Sequence, residues 1–226
     1  MGNVYAIQAQ WMARKVAVVK LLPALLPDST VDGRPSQTRT ALGYQFEIPF
    51  ADVDESQTKL TDHSFVMKSH GHEWAFGVLA GGPKQDVKDM ESMSGHHGRV
   101  AAGMFGDALQ SDYVLRERIY GATPSRVSPF MSDRVAAGEY MILVIKGVML
   151  PSEAQSGFYE VSSATLKGFQ FGNPAVAKQL NIELFDDQGS VSFMIGQQAE
   201  NGKMPLTQAQ INRLIQSVRR DSAKTK

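Results

Sequence analysis

The chain contains no cysteine. That absence excludes disulfide staples, thiolate metal sites, iron–sulfur ligation and a cysteine nucleophile. An excess of either charge is also missing: 23 Lys and Arg balance 23 Asp and Glu. This argues against nucleic acid as a partner, because that footprint needs clustered excess cations. Long apolar runs are scarce. The longest near the start, Val16–Leu26, is broken by Lys20 and Pro23 and bounded by Pro27, short of the ~20 residues a membrane span needs. Arg14 and Lys15 come too late for a secretory signal, and no small-residue cleavage site follows. Ala6 stands where myristoylation requires Ser or Thr.

What is present is an ordinary globular composition, 42% hydrophobic with 20 glycines in 226 residues. A chain of this length buries roughly 70% of its unfolded surface and holds a core without staples. Met1 in front of Gly2-Asn3 is how a bacterial lipoprotein looks once its signal and lipidated cysteine are gone. Two origins are therefore open: an envelope protein separated from a lipid anchor, and a complete cytoplasmic chain. The periplasm or cell envelope is the preferred compartment.

Residues 4–26 read as a helix, or as an extended segment and then a helix, with Trp11, Val18, Leu21 and Leu22 sharing a face and Pro23 ending it. Pro27–Thr40 reads as a loop. Tyr44, Phe46, Ile48 and Phe50 alternate with Gln45, Glu47 and Pro49, the period of a half-buried strand, and Pro49 belongs at its end or on an edge. Ser64–Ser69 and Glu73–Leu79 are two further strands, joined by the turn Ser69-His70-Gly71-His72. From Gly81 to Gly106 six glycines interrupt every apolar period. This stretch reads as a long mobile loop with a short helix at Val87–Met93, and its shape invites a site.

Ser111–Tyr120 is predicted as a helix capped by Ser111 or Asp112, with Gly121 just beyond it. A longer helix spans Arg134–Leu150, starting at Asp133. Two hairpins follow, Gly157–Val161 with Leu166–Phe171 and Leu180–Asp186 with Ser190–Gly196, the second turning at Asp187-Gln188-Gly189. Thr207 and Gln210 form a capping box, flanked by the staple pair Leu206 and Ile211. Ile211, Leu214, Ile215 and Val218 make one apolar face, with Arg219 and Arg220 in the last turn and a frayed tail at 221–226. Hairpins without strand–helix–strand alternation predict one α+β domain over 1–226. Its twisted antiparallel sheet has helices packed on it and is capped by a C-terminal amphipathic helix.

The strand Leu42-Gly43-Tyr44-Gln45-Phe46-Glu47-Ile48-Pro49, the hairpins after it and the closing amphipathic helix resemble the Mog1/PsbP-like α/β sandwich. The likeness covers the order of elements from about 42 to 220. It implies a non-catalytic fold that serves as a binding or accessory module, with no shared catalytic set to carry over. The C-terminal part also resembles bacterial envelope proteins of unassigned role.

The chemistry-bearing residues are few. His70 and His72, with His96, His97, Met90 and Met93, are the one constellation that could hold copper or zinc, since imidazole suits Zn and Cu(II) and thioether prefers Cu(I). No carboxylate is placed by spacing to orient the rings, so solvated residues in glycine-rich loops are the plainer reading and no metal is assigned. His63 stands apart. No G-x-S-x-G elbow, H-E-x-x-H, P-loop or dinucleotide-binding glycine pattern occurs, and Ser92-Met93-Ser94-Gly95 lacks the elbow's first glycine. Asp52, Asp54 and Glu55 lack the glycine and the distant Glu of a calcium loop, and read as a solvated loop or the start of a helical turn. Phe169 and Phe171 share a face and read as core; Arg116, Arg118 and Arg126 read as a solvated helix face. The expectation is a non-enzymatic accessory or ligand-binding protein of the bacterial envelope, without cofactor. Its partner would be an unidentified protein or small molecule. A cytoplasmic partner-binding module and a His/Met metal-binding protein are the alternatives.

Overall fold

The computed structural model describes residues 4–27, 30–33, 36–48, 50, 52–92, 98–198, 204 and 206–221. The fold is α+β, as the periodicities predict. The chain gathers into two compact units, each built from two separate stretches: Met1–Pro23 with Lys84–Gln155, and Ala24–Pro83 with Ser156–Lys226.

The first unit is helical. It holds α1 (Val4–Lys15), α2 (Gln85–Ser92), α3 (Gly98–Phe105), α4 (Asp112–Tyr120) and α5 (Asp133–Met149), with short 3₁₀ turns between them. Within the expected loop at 81–106, the short helix read at Val87–Met93 is present as α2, and α3 stands where loop was expected. Among its described glycines, Gly98 opens α3, Gly103 lies within it and Gly106 follows it, where they weaken the apolar period without breaking the backbone ladder. Ser111 caps α4 by accepting from the Val114 amide, as expected. Asp112 beside it is buried and accepts from the Val87 amide in the first turn of α2, 3.0 Å away. Arg116 forks onto both oxygens of Asp86, and Arg118 pairs with Glu139. These two arginines are therefore part-buried ties between helices, where the sequence suggested a solvated face.

The second unit carries β1 (Ala24–Leu25), β2 (Gln37–Ala41), β3 (Tyr44–Ile48), β4 (Lys59–Leu60), β5 (Ser64–Lys68), β6 (Trp74–Gly81), β7 (Phe158–Ser162), β8 (Lys167–Phe171), β9 (Gln179–Asp186), β10 (Gly189–Gln197), α6 (Gln208–Ser217) and β11 (Arg219–Arg220). Eight strands form one sheet in the order β1-β7-β8-β9-β10-β6-β5-β4, antiparallel except for the β1–β7 pair. β11, β3 and β2 form a second, small sheet. The predicted alternations hold: Trp74, Phe76, Val78, Leu180, Ile182, Leu184, Val191, Phe193 and Ile195 are buried together. Tyr44, Phe46 and Ile48 from β3, and Ile211, Leu214 and Ile215 from α6, join the same core. The Thr207–Gln210 capping box is present in full.

Two readings are corrected in this unit. The end of the expected loop 27–40 is the edge strand β2, whose Gln37–Ala41 sequence is too polar to show an apolar period. It turns into β3 through Leu42 and Gly43, both at positive φ (56° and 80°), the geometry of a two-residue hairpin turn. Leucine is an unusual residue there, so the turn left no mark in the sequence. Arg219 and Arg220 are not the last turn of α6: the helix stops at Ser217 and both residues pair with β3, Arg220 opposite Tyr44. Pro49 and the tail at 222–226 lie outside the described residues.

Candidate functional site

α1 is built inside out. Its Ala6, Ala9 and Ala13 are buried, whereas Val4, Ile7 and Trp11 are exposed, Ile7 at 66% and Trp11 at 60%. At 100° per residue the two sets lie about 160° apart on the helix. The buried face is small because α5 approaches closely. Tyr5 meets Tyr140 at 6.0 Å between ring centroids. Seven residues further on, a Cβ on Gly147 would come within 2.7 Å of Met12 Cε and 3.3 Å of Val19 Cγ1. The same step on both helices shows that they run in parallel. The expectation that Trp11, Val18, Leu21 and Leu22 share a face is corrected by this packing. Val18 is buried, but Trp11 and Leu22 are exposed, because the helix ends at Lys15 and a 3₁₀ turn over Ala17–Lys20 resets the phase.

The outward face of α1 borders a groove of about 440 Å³ lined by Ala6, Ile7, Gln10, Trp11, Arg14, Val127 and Pro129. Phe130, next in the chain after Pro129, is 96% exposed. Only Gln10 and Arg14 bring polar side chains to the lining. Arg14, Lys15 and Lys20 are exposed, and the first 27 residues contain no Asp or Glu at all. Among the described residues no ion pair reaches any of these three cations. Arg39, Arg116, Arg118, Arg213 and Arg220, by contrast, each hold a carboxylate.

Of the histidine and methionine candidates, the structure describes the His70 and Met90 side chains. His70 lies in the 3₁₀ turn His70–His72 of the sheet unit, with Gly71 at φ 69° as the hairpin reading required. Its Nδ1 is 2.6 Å from Asp52 Oδ1. That hydrogen bond, ahead of the coulombic pull of Asp52 and Asp54, raises the imidazole pKa above its ordinary value. The orienting carboxylate that spacing could not supply is therefore Asp52, 18 residues upstream. Met90 is half-buried on α2 in the helical unit. Met93, His96, His97 and the His72 side chain lie outside the described residues, and His63 is exposed. Among the described residues no three metal-ligating side chains gather. Asp54 caps a 3₁₀ turn at Glu55–Gln57 by accepting from Ser56, and Glu55 pairs with Arg39. The helical-turn reading of this acidic stretch is the right one. A second concavity of about 400 Å³, lined by residues 40–43 and 60–62, offers a single carboxylate, Asp62.

Two buried ionisable groups stand out, one in each unit. Lys146 on α5 is fully buried; its Nζ donates to the carbonyls of Leu21 and Ala122, the latter at 2.6 Å, and burial pushes its pKa down to about 8. Tyr44 on β3 is fully buried, its hydroxyl has no partner among the described residues, and burial raises its pKa strongly. The Arg220 guanidinium lies over its ring at 4.4 Å while gripping both oxygens of Asp186.

No family model, curated protein or solved structure matches the chain. Among the described residues no helix is long and apolar enough to cross a membrane. The α1 groove was missed in the sequence because an aromatic at helical spacing reads as core by default. The available signal was the Ala6/Ala9/Ala13 period, which marks the buried face of α1 as one of small residues. Phe169 and Phe171 are buried as expected, with the Phe171 ring stacked on both Phe158 and Phe169.

Proposed function

We propose that this protein is a non-enzymatic accessory protein of the bacterial cell envelope that docks a partner on the outward face of α1. The observation that carries the reading is the inversion of that helix, with alanines inward and Val4, Ile7 and Trp11 outward beside a groove. A soluble helix normally buries its large apolar residues, and an apolar patch left facing water is characteristic of an interaction surface. The order of elements along the chain from about 42 to 220 resembles the Mog1/PsbP-like sandwich, a fold used for binding, and this resemblance supports an accessory role.

The test is site-specific photo-crosslinking in cells. A benzophenone amino acid at Ile7 should give adducts, to protein or to lipid, in the envelope fraction, while one at Val176, equally exposed in the sheet unit, should not. Adducts absent at both positions, or the same at both, would sink the reading.

A further inference from the structure

Resting on that reading, we infer that the occupant of the α1 face is the surface of a bilayer rich in anionic phospholipid. Three observations converge. The outward side chains are Val4, Ile7 and Trp11 on a helix about 18 Å long, with the fully exposed Phe130 following the groove-lining Pro129. A helix lying in the interface plane inserts only its apolar ridge, with tryptophan at the headgroup level.

The second observation is charge. Arg14, Lys15 and Lys20 are exposed and free of carboxylate partners among the described residues, on a stretch with no acidic residue. In a chain whose charges cancel overall, this local bias complements an anionic surface. The nearest acidic residue along the chain to Phe130, Asp133, is already engaged within the protein.

The third is the groove's poverty in hydrogen-bonding groups. A peptide partner brings backbone donors and acceptors that need mates when buried, and only the Gln10 and Arg14 side chains offer any. Acyl chains need none.

Flotation of the full chain with extruded vesicles tests this directly. It should rise with vesicles of phosphatidylglycerol and phosphatidylcholine in equal parts, and remain at the bottom with phosphatidylcholine alone. The emission of Trp11 should shift to the blue. The chain has two tryptophans, and Trp74 is buried and stacked on Phe50 at 4.0 Å, so the shift reports Trp11. Each charge reversal at Arg14, Lys15 or Lys20 should weaken binding at least about fivefold, following the contribution of one cation near an anionic surface. Trp11→Ser and Phe130→Ser should each weaken it several-fold, with the circular dichroism spectrum unchanged because both side chains are exposed.

No flotation on the anionic vesicles overturns the inference, as does binding that the triple charge reversal leaves intact. A concentration-dependent dimer abolished by Ile7→Asp, without vesicle binding, also overturns it and assigns the face to a second copy. Protein adducts from Ile7 without vesicle binding overturn the lipid surface but leave the docking reading standing. Loss of both results removes the two together.

Discussion

A buried hydroxyl without a mate is a net cost, and Tyr44 carries one. Its ring is well used, packed in the core and covered by Arg220. Tyr44→Phe keeps the ring and deletes the orphan donor, so it should leave stability unchanged or raise it by up to about 1 kcal/mol in urea denaturation. A loss larger than that would reveal a partner for the hydroxyl. Lys146 poses the opposite problem. Its ammonium is held by two carbonyls at the ends of helical turns, where partial negative charge gathers, yet desolvation lowers its pKa from 10.5 to about 8, assisted by the nearby charge of Arg126. Between those two values the unfolded chain still binds the proton that the folded chain has released. The Lys146 contribution to stability therefore rises as pH climbs from about 8 to 10.5, by on the order of 3 kcal/mol at full amplitude, and is flat on either side. Denaturation from pH 7 to 10, below the range in which Tyr44 ionises in the unfolded chain and opposes it, should show this slope in the native protein and lose it in Lys146→Met.

Between elements, two glycines separate a rigid clash from a soft one. A Cβ at Gly168 on β8 would sit 1.7 Å from the Glu183 carbonyl oxygen of β9, so the ladder itself must open. Gly168→Ala should cost more than about 4 kcal/mol, the range reserved for gross packing faults, and yield little folded protein. At Gly147 the nearest atom is instead the free end of Met12, which can swing away, and alanine returns about 1 kcal/mol of helix propensity. Gly147→Ala should therefore lie within about 1 kcal/mol of the native midpoint by thermal melting. The same contrast explains what could be read from the amino acids. β3, β5, β6, β9, β10 and α6 announce themselves, since each has a strict period and buries the face that the period marks. β2 and α3 do not, one being a polar edge strand and the other a short glycine-bounded helix. α1 misleads, because its close packing rests on alanine, which carries little hydrophobic signal, while its largest apolar residues face outward. His70 and Asp52 are brought together by the fold rather than by spacing.

For the molecule as a whole, the two units are interleaved along the chain, which makes α1 a structural member of the helical unit and not an appendage. Removing residues 1–15 would expose the part of α5 that Tyr5 and Met12 meet at Tyr140 and Gly147. Hydrogen exchange should then show lost protection in α4 and α5, with protection retained across the β9–β10 ladder. If α4 and α5 kept their protection, α1 would contribute nothing to the helical packing. The large sheet also protects its borders. Both outer strands, β1 and β4, are two residues long, too short to template pairing with another chain.

The strand order sets a schedule for biosynthesis. β6 is made by residue 81, but the strand that covers its open side begins at Gly189, and Gly81 finds Ser190 only after about 110 further residues. At about 5–20 residues per second, the ribosome takes roughly 5–20 s to deliver that partner. Throughout that interval β6 offers a row of unmated amides and carbonyls, longer and more apolar than either border of the finished sheet. The danger of misassembly is therefore greatest during translation, when a holding chaperone has the most to shield.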